Sequence, residues 1–347
     1  MAPEKDKTFL DFLKLVSPGT SLRTVIDDIL RSDLGALIVF DSKDLNDQNL
    51  FEGGFKINSR FTSQRLFELC KMDGAIILSN DLKRILYANV LMTPGNTVNS
   101  IETGTRHKAA ERIAKQAHTF VIAISERRKK TTLYHGSSRY YLKSTDELIR
   151  NITSNLQILE KQRDILTENV TNLNILEMSE LVSIGDICKV IQRTEMILKI
   201  AESMKRNFTE LGKEGSIMNM RYREILRGVE KSENEILRDY AEIPLKRAKT
   251  LLANLTFDGL LDVESIARLV LEKPLEEIIS PKGYRFLYYL TLSAKETSQI
   301  IRIHKNLDNI LRLQPTELES ILKNRSANIY EEIRHLREQI LNGKIIC

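Results

Sequence analysis

Short, uninterrupted apolar runs in the first part of the chain are the feature that most limits its fold. Three such runs occur, at residues 36–40, 75–78 and 120–124. A run of this length without polar alternation suits a strand that is buried on both faces. Amphipathic segments that fit helices separate them, at residues 22–34, 63–72 and 108–118. The pattern predicts an α/β domain with a mixed central sheet and helices on both faces.

Two further strands and one loop complete this prediction. The segment Arg84–Val90 follows the turn residues Asn80-Asp81 and fits a hairpin partner for residues 75–78. Thr131–Tyr134, which follows a basic turn, fits another strand. The polar, turn-rich segment Asp41–Gly54 is predicted to be a loop.

The pattern changes near Ser144, where an α-helical region begins. Ser144 and Glu147 have the spacing of a capping box. Six apolar residues then recur at steps of three and four, with one step skipped, at Ile152, Leu156, Leu159, Leu166, Val170 and Leu173. Glycine is sparse in this region and proline is absent until Pro244. We expect two or three long helices packed as a bundle, and a purely structural spacer is the simplest role for them.

After Pro244 the helical segments are short and are separated by Gly and Pro. The whole chain is therefore predicted to have three parts: an α/β domain at 1–143, an all-α helical linker at 144–243, and a small all-α domain at 244–347. The last helix, at residues 329–341, carries several basic side chains, which fit a solvated face at least as well as a nucleic-acid surface.

Charge and cysteine content bound the cellular setting. The chain has 52 Lys and Arg against 47 Asp and Glu, and this net charge of +5 permits a nucleic-acid partner without arguing for one. Cys70, Cys188 and Cys347 are far apart and form no zinc or disulfide pattern. No stretch approaches the ~20 apolar residues that span a bilayer, and the charged N-terminus does not look like a signal peptide. We expect a cytoplasmic protein that has no membrane partner.

The segment from Glu102 to Arg112 is the strongest candidate for chemistry. Its Gly104-Thr105 turn leads into a predicted helix, where free backbone N–H groups and the positive end of the helix dipole favour an anion. Arg106, His107 and Lys108 follow at the same end. Because cations are normally disfavoured there, their clustering indicates a polyphosphate ligand. The alternative is a basic surface turn.

Two weaker candidates flank other strands. Asp73, with Gly74 and Ala75 after it, precedes residues 75–78 and could bind a divalent cation or orient a hydroxyl nucleophile. Ser125 and Glu126 follow residues 120–124, where they could contact phosphate and support a metal ion. Taken alone, an Asp-Gly pair is more often a plain turn.

Together these three segments resemble a known family. They occur in order as Asp73-Gly74-Ala75, Glu102-Thr103-Gly104-Thr105-Arg106-His107-Lys108 and Ile124-Ser125-Glu126-Arg127-Arg128. They are similar to the diadenylate cyclase domain, whose two hallmarks are an Asp-Gly-Ala and an Arg-His-Arg motif. Residues 192–196, 210–215 and 281–285 also resemble the helical linker and C-terminal part of those members that carry a helix-hairpin-helix DNA-binding domain.

This resemblance implies a reaction and a site. Two ATP molecules would condense to cyclic di-AMP, releasing two pyrophosphates, at the interface of two face-to-face subunits, and four such dimers would form an octamer. Asp73 would bind Mg²⁺ or Mn²⁺ and help to activate the 3′-hydroxyl, with Arg106 and His107 as further catalytic residues. The resemblance places the nucleotide against Gly74, Ala75, Met92, Thr105, Arg106, His107, Lys108, Ala109 and Ser125.

The chain departs from the family pattern at three places. Lys108 replaces the third basic residue, an arginine, so it keeps the charge but loses the bidentate geometry. Met92 replaces a leucine on the adenine side. The family's Gly-x-Gly hairpin, which grips a DNA phosphate, corresponds to residues 318–326, which contain no glycine. This difference argues against DNA binding through that hairpin.

Two alternatives stay open at this stage. The net charge and the small C-terminal helical unit favour a DNA-interaction protein whose nucleotide domain is regulatory or inactive. A helical scaffold is the interpretation to prefer if the chain does not bind ATP.

Overall fold

The computed structural model describes residues 4–322 and 325–343. Within it the chain forms two compact units, the first comprising residues up to Ile152 together with Arg206–Ile217, and the second comprising the rest. The predicted division into three parts, with boundaries at 143 and 243, stays a prediction.

The first unit contains one mixed sheet. Its strands are β1 (Ala36–Phe40), β2 (Phe51–Glu52), β3 (Phe55–Arg60), β4 (Ala75–Leu78), β5 (Arg84–Met92), β6 (Phe120–Ser125), β7 (Lys130–His135) and β8 (Ser138–Leu142). The order is β2-β5-β4-β1-β6-β7-β8, with β3 also paired to β5. Only the β1–β4 pairing is parallel among the described strands.

Helices cover both faces of this sheet, which confirms the predicted α/β class. They are α1 (Glu4–Leu15), α2 (Ser21–Arg31), α3 (Lys43–Asp47), α4 (Ser63–Leu69) and α5 (Thr105–Gln116). Ile38 of β1 packs in a core with residues of α1, α2 and α4, whereas Val39 packs in a second core with α3 and α5. Successive residues of a strand point to opposite faces, so a strand covered on both sides must be apolar throughout.

Several predicted boundaries differ from the structure. The prediction of a loop over Asp41–Gly54 was wrong, because α3 and β2 lie there. Ser42 caps α3 by accepting a hydrogen bond from the Leu45 backbone nitrogen at 3.2 Å, and Leu45 is fully buried. Helix α5 begins at Thr105, three residues before the predicted start at Lys108. The basic cluster therefore lies inside its first turn.

The remainder of the described chain is helical, as predicted. The helices are α6 (Thr145–Met178), α7 (Ile184–Leu211), α8 (Ser216–Ile225), α9 (Val229–Tyr240), α10 (Leu245–Asn254), α11 (Phe257–Leu261), α12 (Val263–Ile266), α13 (Tyr284–Tyr288), α14 (Ala294–His304), α15 (Leu307–Leu311), α16 (Pro315–Leu322) and α17 (Ser326–Leu341). A 3₁₀ turn at Gly212–Gly215 and a π turn at Ala267–Leu271 interrupt them. All six apolar residues of the predicted seam on α6 are buried. The Ser144 hydroxyl accepts from the Glu147 backbone nitrogen at 3.2 Å, which is one half of the predicted capping box.

A buried polar network joins three helices of the second unit. The Arg285 guanidinium of α13 donates to Glu177 of α6 at 2.7 Å and also to Asn174. The Tyr240 hydroxyl of α9 donates to the same Glu177 carboxylate at 2.5 Å. The Arg285 and Glu177 side chains are 3% and 1% exposed. Because these charges are shielded from water, each depends on the others for compensation.

The described cysteines are unpaired and buried. Cys70 and Cys188 are free and buried, and burial raises the pKa of each thiol to about 12. The described residues leave out three parts of the sequence: the start of the N-terminus, Lys323-Asn324 of the predicted hairpin, and the C-terminal end with Cys347. None of the helices described is both long and apolar enough to span a membrane.

Candidate active site

The register of the sheet brings distant segments together at one end. β1 and β4 are parallel and begin at this end, with Leu37 opposite Ala75. β5 and β6 run antiparallel to them and end there, since Ala75 pairs with Val90 and Ala36 pairs with Ile124. The residues just before β1 and β4 are therefore neighbours of the residues that end β5 and β6.

The first turn of α5 has no side-chain cap. Gly104 is its N-cap residue, and it has no side chain that could accept a hydrogen bond from the exposed amides. The first turn also contains no acidic residue. By contrast, the Thr20 hydroxyl caps α2 by accepting from the Arg23 backbone nitrogen at 3.2 Å. The start of α5 thus combines uncapped donors with a positive dipole end, as an anion site requires.

An open cavity of about 450 Å³ lies between this helix and the sheet end. Six of the residues that the motifs predicted line it: Gly74, Ala75, Met92, Thr105, Arg106 and Ala109. Three residues that sequence reasoning missed also line it: Leu37, Val90 and Leu91. In sequence these three look like ordinary strand residues, and no local signal separates them from the core.

The other predicted residues lie outside the cavity lining. Asp73 is exposed directly before Gly74, and its carboxylate has no hydrogen-bond or ion-pair partner in the described part of the chain. Lys108 is exposed on α5, and Glu126 is exposed after β6. The half-buried Ser125 hydroxyl accepts from the Arg128 backbone nitrogen at 3.2 Å and so shapes the turn after β6.

His107 is half-buried beside an acidic group to which the motif analysis gave no role. Its ring lies edge-on to Tyr134 at a centroid distance of 6.5 Å. The Glu102 carboxylate, whose side chain is 7% exposed, accepts hydrogen bonds from the Tyr134 hydroxyl and Arg139 Nη1, both at 2.8 Å. Burial lowers the pKa of His107, the positive charge of Arg106 lowers it further, and Glu102 opposes both effects. The environment therefore favours the neutral imidazole.

The influence of Glu102 on His107 can be measured directly. Glutamine at this position still accepts from Tyr134 and Arg139 but has no negative charge. Since the carboxylate raises the pKa of His107, Glu102→Gln should lower that pKa further below its ordinary value of 6.5. NMR titration of the His107 imidazole signals checks this. Glu52→Gln, an exposed change on β2, should leave His107 unaffected, and an unchanged His107 pKa in Glu102→Gln would contradict the assigned pairing.

Gly74 is required at the edge of the cavity for two reasons. Its φ is +85°, and a methyl group there would lie 2.9 Å from the backbone of both Asn89 and Val90. Gly19 has a similar φ of +83° with open space around it. Gly19→Ala should therefore cost only the conformational strain of about 1–2 kcal/mol. Gly74→Ala should destabilise the unit by a further ~1–2 kcal/mol, because backbone atoms must move. Thermal unfolding of both variants tests this, and equal shifts would show that the contact at Gly74 is unimportant.

A divalent cation can bind at this site only if a bound ligand supplies some of the coordinating oxygens. No group of three or more His, Cys, Asp or Glu side chains comes together as a metal site among the described residues. Mg²⁺ is commonly held by one or two carboxylates, with substrate phosphates and water completing its coordination. A lone, unpartnered carboxylate such as that of Asp73 matches this arrangement.

Two family models match the chain. Residues 23–139 match the nucleotide-binding region of the DisA bacterial checkpoint controller, and residues 142–272 match its linker region. The first match contains the cavity and the uncapped start of α5, and the second begins just before α6.

Curated relatives match over nearly the whole chain. The DNA integrity scanning protein DisA of Acetivibrio thermocellus is 39% identical over 97% of this chain and 96% of its own length. The protein of the same name from Clostridium kluyveri is 38% identical over 98% and 99%. A solved structure of DacA from Staphylococcus aureus is 23% identical over 41% of this chain and 91% of its own, with a TM-score of 0.31. The two family models and the two curated relatives show that the chain belongs to the DisA family of DNA integrity scanning proteins and that it is a diadenylate cyclase, as its motifs predicted.

Proposed function

We propose that this chain condenses two ATP molecules into cyclic di-AMP and two pyrophosphates at the interface of two face-to-face subunits. One observation carries the proposal: the cavity places the uncapped start of α5, with Thr105 and Arg106, opposite Gly74 and Ala75. Its volume of about 450 Å³ is in the range of small-molecule sites, and we infer that each site binds one ATP. Two copies of the site are therefore needed to bring two ATP molecules together.

The two sides of the cavity suit the two parts of the nucleotide. The triphosphate would lie against the first turn of α5, where the Thr105 hydroxyl, the Arg106 guanidinium and free backbone N–H groups can donate to its oxygens. Lys108 and Ser125 would add contacts at the rim. The nucleoside would pack on the apolar side, formed by Gly74, Ala75 and Met92 together with Leu37, Val90 and Leu91.

The chemistry is a pair of in-line displacements. The 3′-hydroxyl of each nucleotide attacks the α-phosphorus of the other, so that a new P–O bond forms and the bond to pyrophosphate breaks. Asp73, which directly precedes the cavity residue Gly74, would take the hydroxyl proton, while Arg106 and the start of α5 would stabilise the charge on the phosphoryl oxygens. Neutral His107 could donate a hydrogen bond there. Mg²⁺ or Mn²⁺, held by Asp73 and the phosphates, would supply charge neutralisation.

Exposed apolar side chains around the site support a face-to-face dimer. Leu91 lines the cavity and is 61% exposed. Met72 and Ile101, which precede the two cavity-forming segments, are 40% and 76% exposed. We infer that these side chains belong to a surface that a partner covers. The symmetric reaction would make that partner a second copy of the chain. We propose in addition that four such dimers form the octamer that the family resemblance implies.

Conversion of ATP tests the proposal. The purified full-length chain, incubated with ATP and either Mg²⁺ or Mn²⁺, should form cyclic di-AMP and pyrophosphate, resolved by anion-exchange chromatography. Hydrolysis to ADP or AMP without any cyclic dinucleotide would overturn it.

The glycines missing from residues 318–326 affect whether the chain can bind DNA. Residues 318–322 end α16, and Lys323-Asn324, which follow them in the stretch that corresponds to the Gly-x-Gly hairpin, lie outside the described residues. We expect no DNA complex that survives roughly 0.2 M salt, because nonspecific phosphate contacts weaken steeply with ionic strength. A gel shift on branched and linear DNA over a salt series tests this. A salt-resistant complex would favour the alternative, a DNA-interaction protein whose nucleotide domain is regulatory.

A further inference from the structure

Gly35 lies directly before β1, at the same end of the sheet as the cavity. A methyl group built at this glycine would lie 2.0 Å from Arg106 Nη1 and 2.9 Å from Arg106 Cζ. It would also lie 3.2 Å from the carbonyl oxygen of Ile124 on β6. The Arg106 guanidinium therefore occupies the space that any side chain at position 35 would take.

The backbone itself does not require glycine here. Gly35 is absent from the described residues with positive φ, whereas Gly74 has a φ of +85°. Alanine can thus adopt the backbone dihedral angles of Gly35, although the Ile124 carbonyl oxygen, 3.2 Å from the added methyl group, would have to shift slightly. Glycine is needed at position 35 because it has no side chain, which leaves room for the Arg106 guanidinium.

Arg106 depends on this space for its position. It is half-buried and lines the cavity, yet its guanidinium has no hydrogen-bond acceptor or ion-pair partner in the described residues. An arginine that is held by a carboxylate has its direction set by that partner. Here the guanidinium packs against the bare Cα of Gly35 instead, and its donors stay available for an anionic ligand.

We propose that Gly35 is a positioning residue for the cyclase site. Its bare Cα lets the Arg106 guanidinium lie across the start of β1, where it can bind the phosphates of the nucleotide. This inference rests on the proposed function, since it assumes that the cavity binds ATP. Gly35 itself does not touch the ligand and acts only through Arg106.

A double-mutant cycle tests the coupling between the two residues. The readout is the affinity for 3′-deoxy-ATP, which has the triphosphate but lacks the attacking hydroxyl, so that binding is measured without turnover. Gly35→Ala should weaken binding by roughly tenfold or more, because it displaces the guanidinium by an ångström or more. Arg106→Lys lacks Nη1, the atom nearest the added methyl group, and its flexible Nζ can move aside, so adding Gly35→Ala should change the affinity by less than about threefold.

The control is Gly95→Ala, where a methyl group would meet nothing closer than 3.5 Å. This variant should bind 3′-deoxy-ATP as the unmodified chain does. Thermal unfolding should be unchanged in Gly95→Ala and only slightly lowered in Gly35→Ala, where the Ile124 carbonyl must shift, and this separates positioning from loss of fold.

The outcomes distinguish the inference from the proposed function. If the unmodified chain neither binds 3′-deoxy-ATP nor forms cyclic di-AMP, the proposed function fails. If it does both and Gly35→Ala binds equally well, the inference fails alone. The inference is also overturned if Gly35→Ala lowers the affinity for 3′-deoxy-ATP equally in the unmodified chain and in the Arg106→Lys variant. Gly35 would then act independently of Arg106.

Discussion

Asp73→Asn is expected to lower the rate of cyclic di-AMP formation by about 10²–10³-fold, with little change in the affinity for ATP. Asparagine keeps the shape of the side chain but cannot accept the hydroxyl proton and binds a divalent cation poorly. Asp73 is exposed and has no protein partner in the described part of the chain, so the substitution should not disturb the fold. The loss should therefore appear in kcat rather than in stability.

Initial rates with saturating ATP, together with thermal unfolding, measure the two effects separately. Asp47→Asn is a matched control, because Asp47 is also exposed in the same unit but lies on α3, away from the cavity lining. It should retain the unmodified rate. A fully active Asp73→Asn enzyme would remove this carboxylate from the mechanism.

Arg285→Met is expected to destabilise the second unit by about 3–5 kcal/mol, the largest effect on stability that we predict. Methionine fills similar space but leaves the buried Glu177 carboxylate without its positive partner. The nearby Asp239 carboxylate would suffer as well: it accepts hydrogen bonds from the backbone nitrogens of Gly283, Tyr284 and Arg285 at 2.6–3.0 Å. Burial raises the pKa of Asp239 to about 7 even with the positive charge of Arg285 opposing it, so removing Arg285 should raise this pKa further.

Arg312→Met provides the matched comparison. Arg312 also pairs with a glutamate of the same unit, Glu180, but the two side chains are 66% and 35% exposed. Exposed pairs contribute only ~0–1 kcal/mol, so this variant should unfold almost as the unmodified chain does. Urea unfolding followed by far-UV circular dichroism compares the two variants. If the free energy of unfolding falls by the same small amount in both variants, burial does not determine how much the Arg285 network contributes to stability.

The central strands could be predicted from sequence, whereas the outer ones could not. Residues 36–40 and 75–78 form β1 and β4 as predicted, because both faces of each are buried and every residue is apolar. The residues of strands β3 and β8 are exposed or half-buried, and many are polar. Their sequences therefore show neither a hydrophobic run nor a clear alternation of apolar and polar residues. Helix α3 was missed because its single turn is stabilised by a cap and one buried leucine.

The motifs also located most of the cavity, and the roles that they assign to individual residues stay predictions. Glycine, alanine and basic residues near a helix start carry a recognisable local signal. Glu102 does not, because its partners Tyr134 and Arg139 come from β7 and β8 and meet it only through the register of the sheet. Gly35 was missed for the same reason: its contact with Arg106 joins the start of β1 to the start of α5.

The most direct test of the account is the isotopic composition of the product. The full-length chain is given equal amounts of unlabelled and ¹⁵N-labelled ATP, and the product is analysed by mass spectrometry. Condensation of two ATP molecules predicts three masses of cyclic di-AMP, of which the mixed species is the most abundant, with two pyrophosphates released per product. The absence of any cyclic dinucleotide would contradict the account. So would a product in which a labelled and an unlabelled nucleotide never occur together.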